Sequence, residues 1–173
     1  MSITPVFQQG NIGDTFSVAI NISNLEGVGI GSFDLDILFN NAILSGITYD
    51  LGGGLGSGAD VINLSTGFSG GSIDLAQVSL LSGLDLLALQ GGSSFTLATL
   101  TFQGIANCLS SLTIAQHIFA DVDGNELTTA VNNGSIQIGD TEPIPEPSTL
   151  LLLGSGAALA ALRRRQQLRR QAL

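Results

Sequence analysis

The sequence of 173 residues has no lysine and no tryptophan, and it has only one histidine and one cysteine. Its five cationic side chains are all arginines within residues 163–170, so the first 162 residues cannot neutralise phosphate groups. This argues against nucleic-acid binding by that part of the chain, and the lack of lysine excludes a Walker-type phosphate loop. A single cysteine and a single histidine also exclude an internal disulfide and a zinc site built from several thiolates or imidazoles.

The charges that are present divide the chain into two parts. All fourteen acidic residues lie at or before Glu146, and the five arginines follow them, which gives the net charge of −9. Such an asymmetry is typical of a folded part followed by a targeting or interaction part. The length suits one domain with a short appendage, and a hydrophobic fraction of 44% against 11% charged residues favours a packed core over disorder.

Apolar and polar residues alternate with a period of two in several short segments. The segments are residues 16–22, 33–39, 95–101 and 112–116. Half-buried strands produce this pattern, and turn-forming Gly, Asn and Asp residues separate the segments, so the sequence predicts an antiparallel β-sandwich. Residues 80–89 are the one segment that could form a helical turn or two, and the glycine-rich residues 51–58 are predicted to form a mobile loop.

The end of the chain combines an acidic, an apolar and a basic segment. Residues 140–147, DTEPIPEP, predict an extended linker, so the folded domain is expected to span residues 1–139. The apolar residues 148–162 contain the run Leu150, Leu151, Leu152, Leu153 and Gly154. With Pro147 they would rise about 24 Å as a helix, less than the roughly 30 Å hydrocarbon core. A short transmembrane helix is favoured over the alternative, a buried helix, because the segment has no polar face.

Arg163, Arg164 and Arg165 open the basic tail, residues 163–173. Cationic flanks stay on the cytoplasmic side, so these arginines are expected to stop the span and to leave residues 1–146 outside the cytoplasm. Export requires a signal peptide, but residues 1–15 have neither a basic region nor an apolar core. Because residues 2–7 already resemble a first strand, we expect a truncated or misassigned start.

Pro145, Glu146 and Pro147, followed by the apolar run and the three arginines, resemble the PEP-CTERM sorting signal of Gram-negative, often biofilm-forming bacteria. The resemblance implies that an exosortase recognises this tripeptide and processes the protein at or near it. It also implies export to the cell envelope or extracellular matrix, with an anchor in the inner membrane before processing.

A second resemblance covers residues 2–138. The segments NIGDTFSV, INISNL, GSFDLDILF, FTLATLTF and NGSIQI are similar to strands of cohesin domains. The family fold is a jelly-roll sandwich of about nine antiparallel strands, related to certain carbohydrate-binding modules, and it binds a dockerin helix pair through one sheet face. The family usually shows an aromatic residue, Asp and Pro after the third strand, whereas Phe39 is followed here by Asn40 and Asn41.

The cohesin resemblance assigns Asp34 to the partner face, because an outward aspartate on the third strand contributes to dockerin binding in the family. Alternation alone explains Asp34 and Asp36 as two solvated residues on the outer side of one strand. Both interpretations place the two carboxylates outward.

Asp121, Asp123 and Asn125 suggest a second kind of site. Three oxygen-bearing side chains at alternate positions can converge on calcium, but the glycine and glutamate positions of an EF-hand loop are not matched. A plain Asp-Gly-Asn turn is the alternative interpretation. No other cofactor is expected.

Nothing in the sequence marks a catalytic site. His117 is expected to pack on a strand, and Cys108 is expected to be a small buried hydrophobic residue. With fourteen acidic residues, the carboxylate spacing that glycosidases use cannot single out a pair.

Aromatic residues argue against direct sugar binding. Stacking on sugar rings commonly uses Trp or Tyr, and the chain has only Tyr49. The phenylalanines on the alternating segments are predicted to be core residues, namely Phe16, Phe33, Phe39 and Phe102. The sequence therefore predicts a non-enzymatic, exported binding or structural protein that meets a protein partner through a cohesin-like domain. The alternative is a carbohydrate-binding module associated with exopolysaccharide or polysaccharide breakdown.

Overall fold

The computed structural model describes residues 1–23, 27–91 and 94–139, which form two stacked β-sheets and one short helix within the compact unit Met1–Asp140. The strands of this described part are β1 (Ser2–Thr4), β2 (Phe7–Gly10), β3 (Thr15–Ser23), β4 (Ser32–Leu38), β5 (Leu44–Leu51), β6 (Val61–Asn63), β7 (Gly67–Ser69), β8 (Ser72–Ser79), β9 (Ser94–Gly104), β10 (Cys108–Ala120) and β11 (Gly134–Ile138). The helix α1 spans Gly83–Gln90, and two 3₁₀ turns span Gly53–Leu55 and Gly58–Asp60.

One sheet has four strands in the order β1-β3-β9-β5, and the other has the order β2-β11-β10-β4-β8-β6, with β7 also paired to β8. The predicted all-β sandwich is confirmed, but the described residues form eleven strands rather than about nine. One difference is that residues 2–7 do not form a single strand. β1 joins the first sheet and β2 the second, where it runs parallel to β11. Pro5 lies between them and has no N–H to donate to a ladder.

The core lies between the two sheets and follows from the period-two pattern. On β4, Phe33, Leu35 and Ile37 are buried, and the residues between them are on the outer side. The four phenylalanines predicted to be core residues are each at most 8% exposed, which confirms that prediction. Phe39 and Phe102 meet edge to face with ring centroids 5.2 Å apart, and Phe68 contacts both rings.

The turn after β4 forms with asparagine where cohesins usually show Asp and Pro. The Asn40 carbonyl accepts hydrogen bonds from the N–H groups of Ile43 and Leu44, at 3.0 and 2.9 Å. The Asn40 side-chain oxygen accepts another from the Ala42 N–H at 3.0 Å. Asparagine side chains commonly hydrogen-bond the backbone two residues on, so this departure from the family pattern leaves the turn intact.

The segment predicted to contain a helical turn or two forms α1. Ser82 caps its first turn by accepting a hydrogen bond from the Asp85 N–H. Gly91 ends the helix in a left-handed conformation with φ of 53°, which glycine adopts without strain.

The glycine-rich residues 51–58 differ from the prediction, because they pack against the sandwich instead of forming a mobile loop. They contain the first 3₁₀ turn, and Leu55 is only 1% exposed. A Cβ atom at Gly52 would overlap the carbonyl oxygen of Thr96 on β9. Close approach between this segment and β9 therefore explains the glycine at position 52.

Gln90, the last residue of α1, ties three segments together. Its Oε1 accepts a hydrogen bond from the Ile30 N–H at 2.9 Å, and its Nε2 donates to the carbonyl oxygens of Ile30 and Gly54 at 2.7 and 3.1 Å. Gln90→Ala leaves these backbone groups unpaired, so we expect the free energy of unfolding to fall by about 2–4 kcal/mol in urea denaturation. Gln103→Ala removes only the exposed hydrogen bond from Gln103 to the Gly13 carbonyl and should cost less than about 1 kcal/mol. Equal losses in the two variants would contradict the expected role of Gln90.

The predicted linker 140–147, apolar segment 148–162 and basic tail 163–173 lie outside the described residues. Within the described ranges, no helix combines the length and the apolar character that a membrane crossing requires. The transmembrane helix therefore stays a prediction.

Candidate partner-binding face

Asp34 and Asp36 lie on the outer side of β4, within the seven-stranded sheet, where both interpretations of the sequence placed them. Residues that pair directly across neighbouring antiparallel strands share one side of the sheet. Asp36 pairs with Asp74 of β8. Asp34 pairs with Ala76 of β8 on one side and with Ile118 of β10 on the other.

Asp34, Asp36 and Asp74 form what we term the acidic row, which crosses β4 and β8. Partial burial, followed by the charges of Asp74 and Asp36, raises the pKa of the Asp34 carboxyl. The Thr66 N–H donates a hydrogen bond to one oxygen of Asp74 at 3.2 Å. The described residues contain no lysine or arginine, so no cationic side chain of those types offsets the charge of the row there.

Apolar side chains flank the acidic row on both sides. Ile118 on β10 is 49% exposed, and Ile62 on β6, which pairs with Val78, is 46% exposed. Leu38, the last residue of β4, and Leu64, just after β6, are exposed as well. We define the β4 face as the outer side of β10, β4, β8 and β6, with the acidic row and these four apolar residues. Several exposed apolar groups on one side of a sheet favour that side as an interaction surface.

The outer side of the four-stranded sheet has a different chemistry. Its two central rows across β3, β9 and β5 are Ser17, Thr101 and Thr48, and Ala19, Thr99 and Asp50. Four of these six side chains carry a hydroxyl group, and one is a carboxylate. Such a surface offers little apolar area for a partner to bury, so the β4 face is the better candidate for binding.

Sequence reasoning missed Asp74 and the apolar flanks of the β4 face. Alternation in residues 72–79 does place Asp74 on one side of a strand, with Ile73 and Leu75 on the other. A single strand does not reveal which strand lies beside it, so its pairing with Asp36 could not be predicted.

The raised pKa of Asp34 predicts a pH-dependent effect on stability. Asp34 binds its proton more tightly in the folded state than in the unfolded state, so its ionised form disfavours folding at neutral pH. This cost disappears as the pH falls through the folded-state pKa. Asp34→Asn should therefore raise the free energy of unfolding at pH 7 by up to about 0.5 kcal/mol, and the gain should vanish near pH 3. Urea titrations at both pH values measure the effect, and a gain of equal size at both would contradict it.

The loop after β10 is an Asp-Gly-Asn turn that is held by its own aspartate. One carboxylate oxygen of Asp121 accepts hydrogen bonds from the N–H groups of Asp123 and Asn125, both at 2.9 Å. The other oxygen accepts one from the Asn125 side-chain amide at 2.9 Å. These bonds, led by the one from the Asn125 side chain, lower the pKa of Asp121. No group of three His, Cys, Asp or Glu residues in the described ranges could hold a metal ion.

Calcium binding by this loop therefore stays a prediction, and a calcium titration tests it. Because the Asp121 carboxylate already accepts three hydrogen bonds within the turn, we expect millimolar calcium to leave the melting temperature unchanged. A calcium-dependent rise in melting temperature that Asp123→Ala removes would instead establish a site at Asp121, Asp123 and Asn125.

The structure confirms the prediction for the single histidine of the chain and contradicts the prediction for the single cysteine. His117 lies on β10 opposite Leu35 and is half-buried, which confirms its predicted place on a strand. Cys108 is exposed, so the prediction of a buried cysteine is wrong. The physical reason is its position as the first residue of β10, at the end of the sandwich.

Family models match two parts of the chain. The cohesin domain matches residues 2–138, which contain every strand of the described part, and the PEP-CTERM protein-sorting motif matches residues 143–165. No curated protein sequence matches the chain.

Solved cohesin structures have the same fold. The sixth cohesin of scaffoldin B from Acetivibrio cellulolyticus, solved in complex with a mutant Cel5 dockerin, is 19% identical with a TM-score of 0.61, and the match covers 80% of this chain and 96% of that one. A non-cellulosomal cohesin from the archaeon Archaeoglobus fulgidus is 18% identical with a TM-score of 0.59, covering 82% and 94%. The PEP-CTERM sorting motif lies at the C-terminal end of the chain, after the cohesin match. Because the cohesin family model covers most of the length of the chain, the chain belongs to the cohesin domain family.

Proposed function

We propose that the chain is an exported, non-enzymatic binding protein that holds a dockerin-type module on its β4 face. Support comes from its membership of the cohesin family and from the similar Acetivibrio cohesin, which was solved with a dockerin. The observation that carries the proposal is the exposure of Leu38, Ile62 and Ile118 around Asp34 and Asp36 on one sheet face. Exposed apolar groups with interspersed charges suit a protein partner.

The PEP-CTERM motif supports the export part of the proposal. An exosortase recognises Pro145, Glu146 and Pro147 while residues 148–162 anchor the chain in the inner membrane of a Gram-negative cell. Arg163, Arg164 and Arg165 hold the tail on the cytoplasmic side. Processing near Pro147 removes all five arginines, so the mature domain keeps fourteen acidic residues and resides in the cell envelope or extracellular matrix.

The export part is tested by producing the full chain behind a signal peptide in a Gram-negative host with an exosortase and in the matching exosortase deletion strain. We expect an extracellular form whose intact mass ends near Pro147 in the first strain, and an unprocessed membrane-bound chain in the second. Glu146→Ala should also remain unprocessed, whereas Glu142→Ala, the other glutamate of the linker, should be processed normally. The same processed form in both strains would contradict the proposal.

Binding is tested with residues 1–146, which include the compact unit Met1–Asp140. The probes are the Cel5 dockerin of the similar complex and dockerin modules encoded in the genome that carries this gene. We expect at least one module to bind with a Kd of about 1 µM or tighter in isothermal titration calorimetry.

A glycan array with the same protein tests the carbohydrate-binding alternative. Tyr49 is half-buried and packs against the core, so it is not free to stack on a sugar, and we expect no micromolar glycan ligand. Clear glycan binding together with the failure of every dockerin module would overturn the proposal in favour of the alternative.

A further inference from the structure

The chain leaves the sandwich at one end, where three loops meet. β11 ends there at Ile138, beside the last residue of β2 and the first residue of β10. The Gly13 N–H donates to the Gly104 carbonyl at 2.8 Å, which joins the turn after β2 to the connection after β9. The turn after β4 lies at the same end, because the Ile105 N–H donates to the Ile43 carbonyl at 2.8 Å. We define the exit end as residues 10–14, 40–43 and 104–109.

Aliphatic side chains are exposed on neighbouring parts of the exit end. They are Ile12 in the turn after β2, Ala42 in the turn after β4, Ile105 after β9 and Leu109 near the start of β10. Several exposed aliphatic residues at one end of a domain favour that end as a contact surface.

Charge distinguishes the exit end from the opposite end of the sandwich. The exit end has one acidic residue, Asp14, whose carboxylate accepts a hydrogen bond from the Asn11 N–H at 2.7 Å. The opposite end lies about 40 Å away along β10, at 3.3 Å per residue, and contains α1 and the loop after β10. Its carboxylates are Asp60, Asp85, Asp121, Asp123 and Glu126.

These carboxylates decide which end suits an apolar surface. Leu84 on α1 is 82% exposed, more than any apolar residue of the exit end, but Asp85 follows it directly. Charged groups resist transfer out of water. The exit end is therefore the end that approaches a lipid surface at the lower desolvation cost.

The length of the linker limits how far the exit end can lie from a membrane anchor. Residues 140–147 separate Gly139, the last described residue, from the apolar segment 148–162. Eight residues reach at most about 29 Å when fully extended. A tether this short keeps the local concentration of the domain at the bilayer high, so a weak contact is populated.

We infer that the exit end is a membrane-contact surface: while residues 148–162 anchor the chain, Ile12, Ile105 and Leu109 rest in the headgroup region of the bilayer. This inference rests on the anchoring step of the proposed function and adds that the domain itself is held against the membrane until it is processed.

The same residues define the lipid and the lifetime of the contact. The linker acids Asp140, Glu142 and Glu146 are repelled by anionic lipid, so the surface must carry little negative charge. A single myristoyl chain gives only marginal membrane binding, and the exposed parts of three aliphatic side chains bury less carbon than that chain. Processing near Pro147 removes the tether and therefore releases the domain.

The chain has no tryptophan, so one substitution creates a single fluorescent reporter. Ile105→Trp reports on the exit end, and Leu84→Trp is the matched control at the opposite end. The full chain of each variant is reconstituted in phosphatidylcholine nanodiscs with brominated lipid as the quencher. We expect quenching of Ile105→Trp to exceed that of Leu84→Trp at least fivefold, and to fall at least twofold when half of the lipid is phosphatidylglycerol.

A second pair of variants tests the contact without moving the reporter. In the Ile105→Trp chain, Ile12→Glu should reduce the quenching at least threefold, because it brings a charge to the exit end. Val122→Glu adds the same charge at the opposite end, where valine is also exposed, and should change the quenching less than 1.5-fold.

Three results would overturn the inference. They are equal quenching of Ile105→Trp and Leu84→Trp, equal effects of the two glutamate substitutions, and no quenching of Ile105→Trp. A blue shift of Ile105→Trp that grows with the concentration of lipid-free residues 1–146 would also overturn it, because a second copy would then cover the exit end.

The inference and the proposed function fail in different ways. Residues 1–146 with a C-terminal oligohistidine tag, bound to phosphatidylcholine vesicles through nickel-chelating lipid, hold the chain end at a bilayer whatever residues 148–162 do. Quenching of Ile105→Trp on these vesicles, with a full chain that does not enter nanodiscs, would overturn the proposed anchor alone. A full chain that enters nanodiscs but shows no quenching of Ile105→Trp would overturn the inference alone.

Discussion

Ile118→Lys is expected to weaken partner binding at the β4 face at least 100-fold. The substitution removes an apolar contact beside the acidic row and places a long cationic side chain inside the proposed interface, opposite Asp34. A charged side chain at the centre of an interface disrupts its packing and must be desolvated, so affinity is lost. Because Ile118 is 49% exposed and a lysine there can approach Asp34, the domain itself should keep its stability to within about 0.5 kcal/mol.

Leu109→Lys provides the matched control for this substitution. Leu109 lies on the same strand and is 48% exposed, but it pairs with β11 rather than with β4. Nine residues along β10 separate it from Ile118, about 30 Å at 3.3 Å per residue. Calorimetry with the dockerin module that binds the wild type should show full affinity for Leu109→Lys. Equal affinity of both variants would show that the partner does not contact the β4 face.

The outward position of Asp34 and Asp36 was predictable because a strand has an exact period of two. Phe33, Leu35 and Ile37 are apolar, so the residues between them had to lie on the other side once one side was buried. The same rule fails for Cys108. Counting back from the buried Ser110 and Leu112 places Cys108 on the inner side, yet Cys108, the first residue of β10, is exposed although its partner Ile138 on β11 is buried.

The composition of the β4 face was not predictable, because it depends on which strands are neighbours. β4 lies between β8 and β10, whose residues are about 40 and 80 positions later in the chain. Alternation shows which side of a strand a residue occupies but carries no information about strand order. The pairing of Asp36 with Asp74 and of Asp34 with Ile118 therefore emerges only from the assembled sheet.

The packing of residues 51–58 was mispredicted for a related reason. Glycine supplies backbone freedom in a loop, but it is equally required where another chain segment approaches closely. Composition does not distinguish these two uses. At Gly52 the close approach of the Thr96 carbonyl decides between them, and that contact joins segments more than 40 residues apart.

Phe102→Ala is expected to lower the free energy of unfolding by about 3–5 kcal/mol, the range for a fully buried Phe-to-Ala change that leaves a cavity. Phe102 is completely buried on β9 and contacts Phe39 and Phe68 edge to face, with centroids 5.2 and 5.4 Å away. Phe39 directly follows β4 and Phe68 lies on β7, so this aromatic cluster joins the two sheets. The loss removes both the apolar burial and the two ring contacts, each worth about 0.5–1.5 kcal/mol beyond its area.

Phe7→Ala makes the same chemical change at a site that is 53% exposed on β2, so it should cost less than about 1 kcal/mol. Urea denaturation of residues 1–146 measures both variants, and a change in midpoint with an unchanged slope would show that stability changes while the surface exposed on unfolding does not. If Phe102→Ala cost no more than Phe7→Ala, the two sheets would not be joined through this cluster. The β4 face would then be supported by the other buried residues of β4, Phe33, Leu35 and Ile37, rather than through Phe39 at the end of that strand.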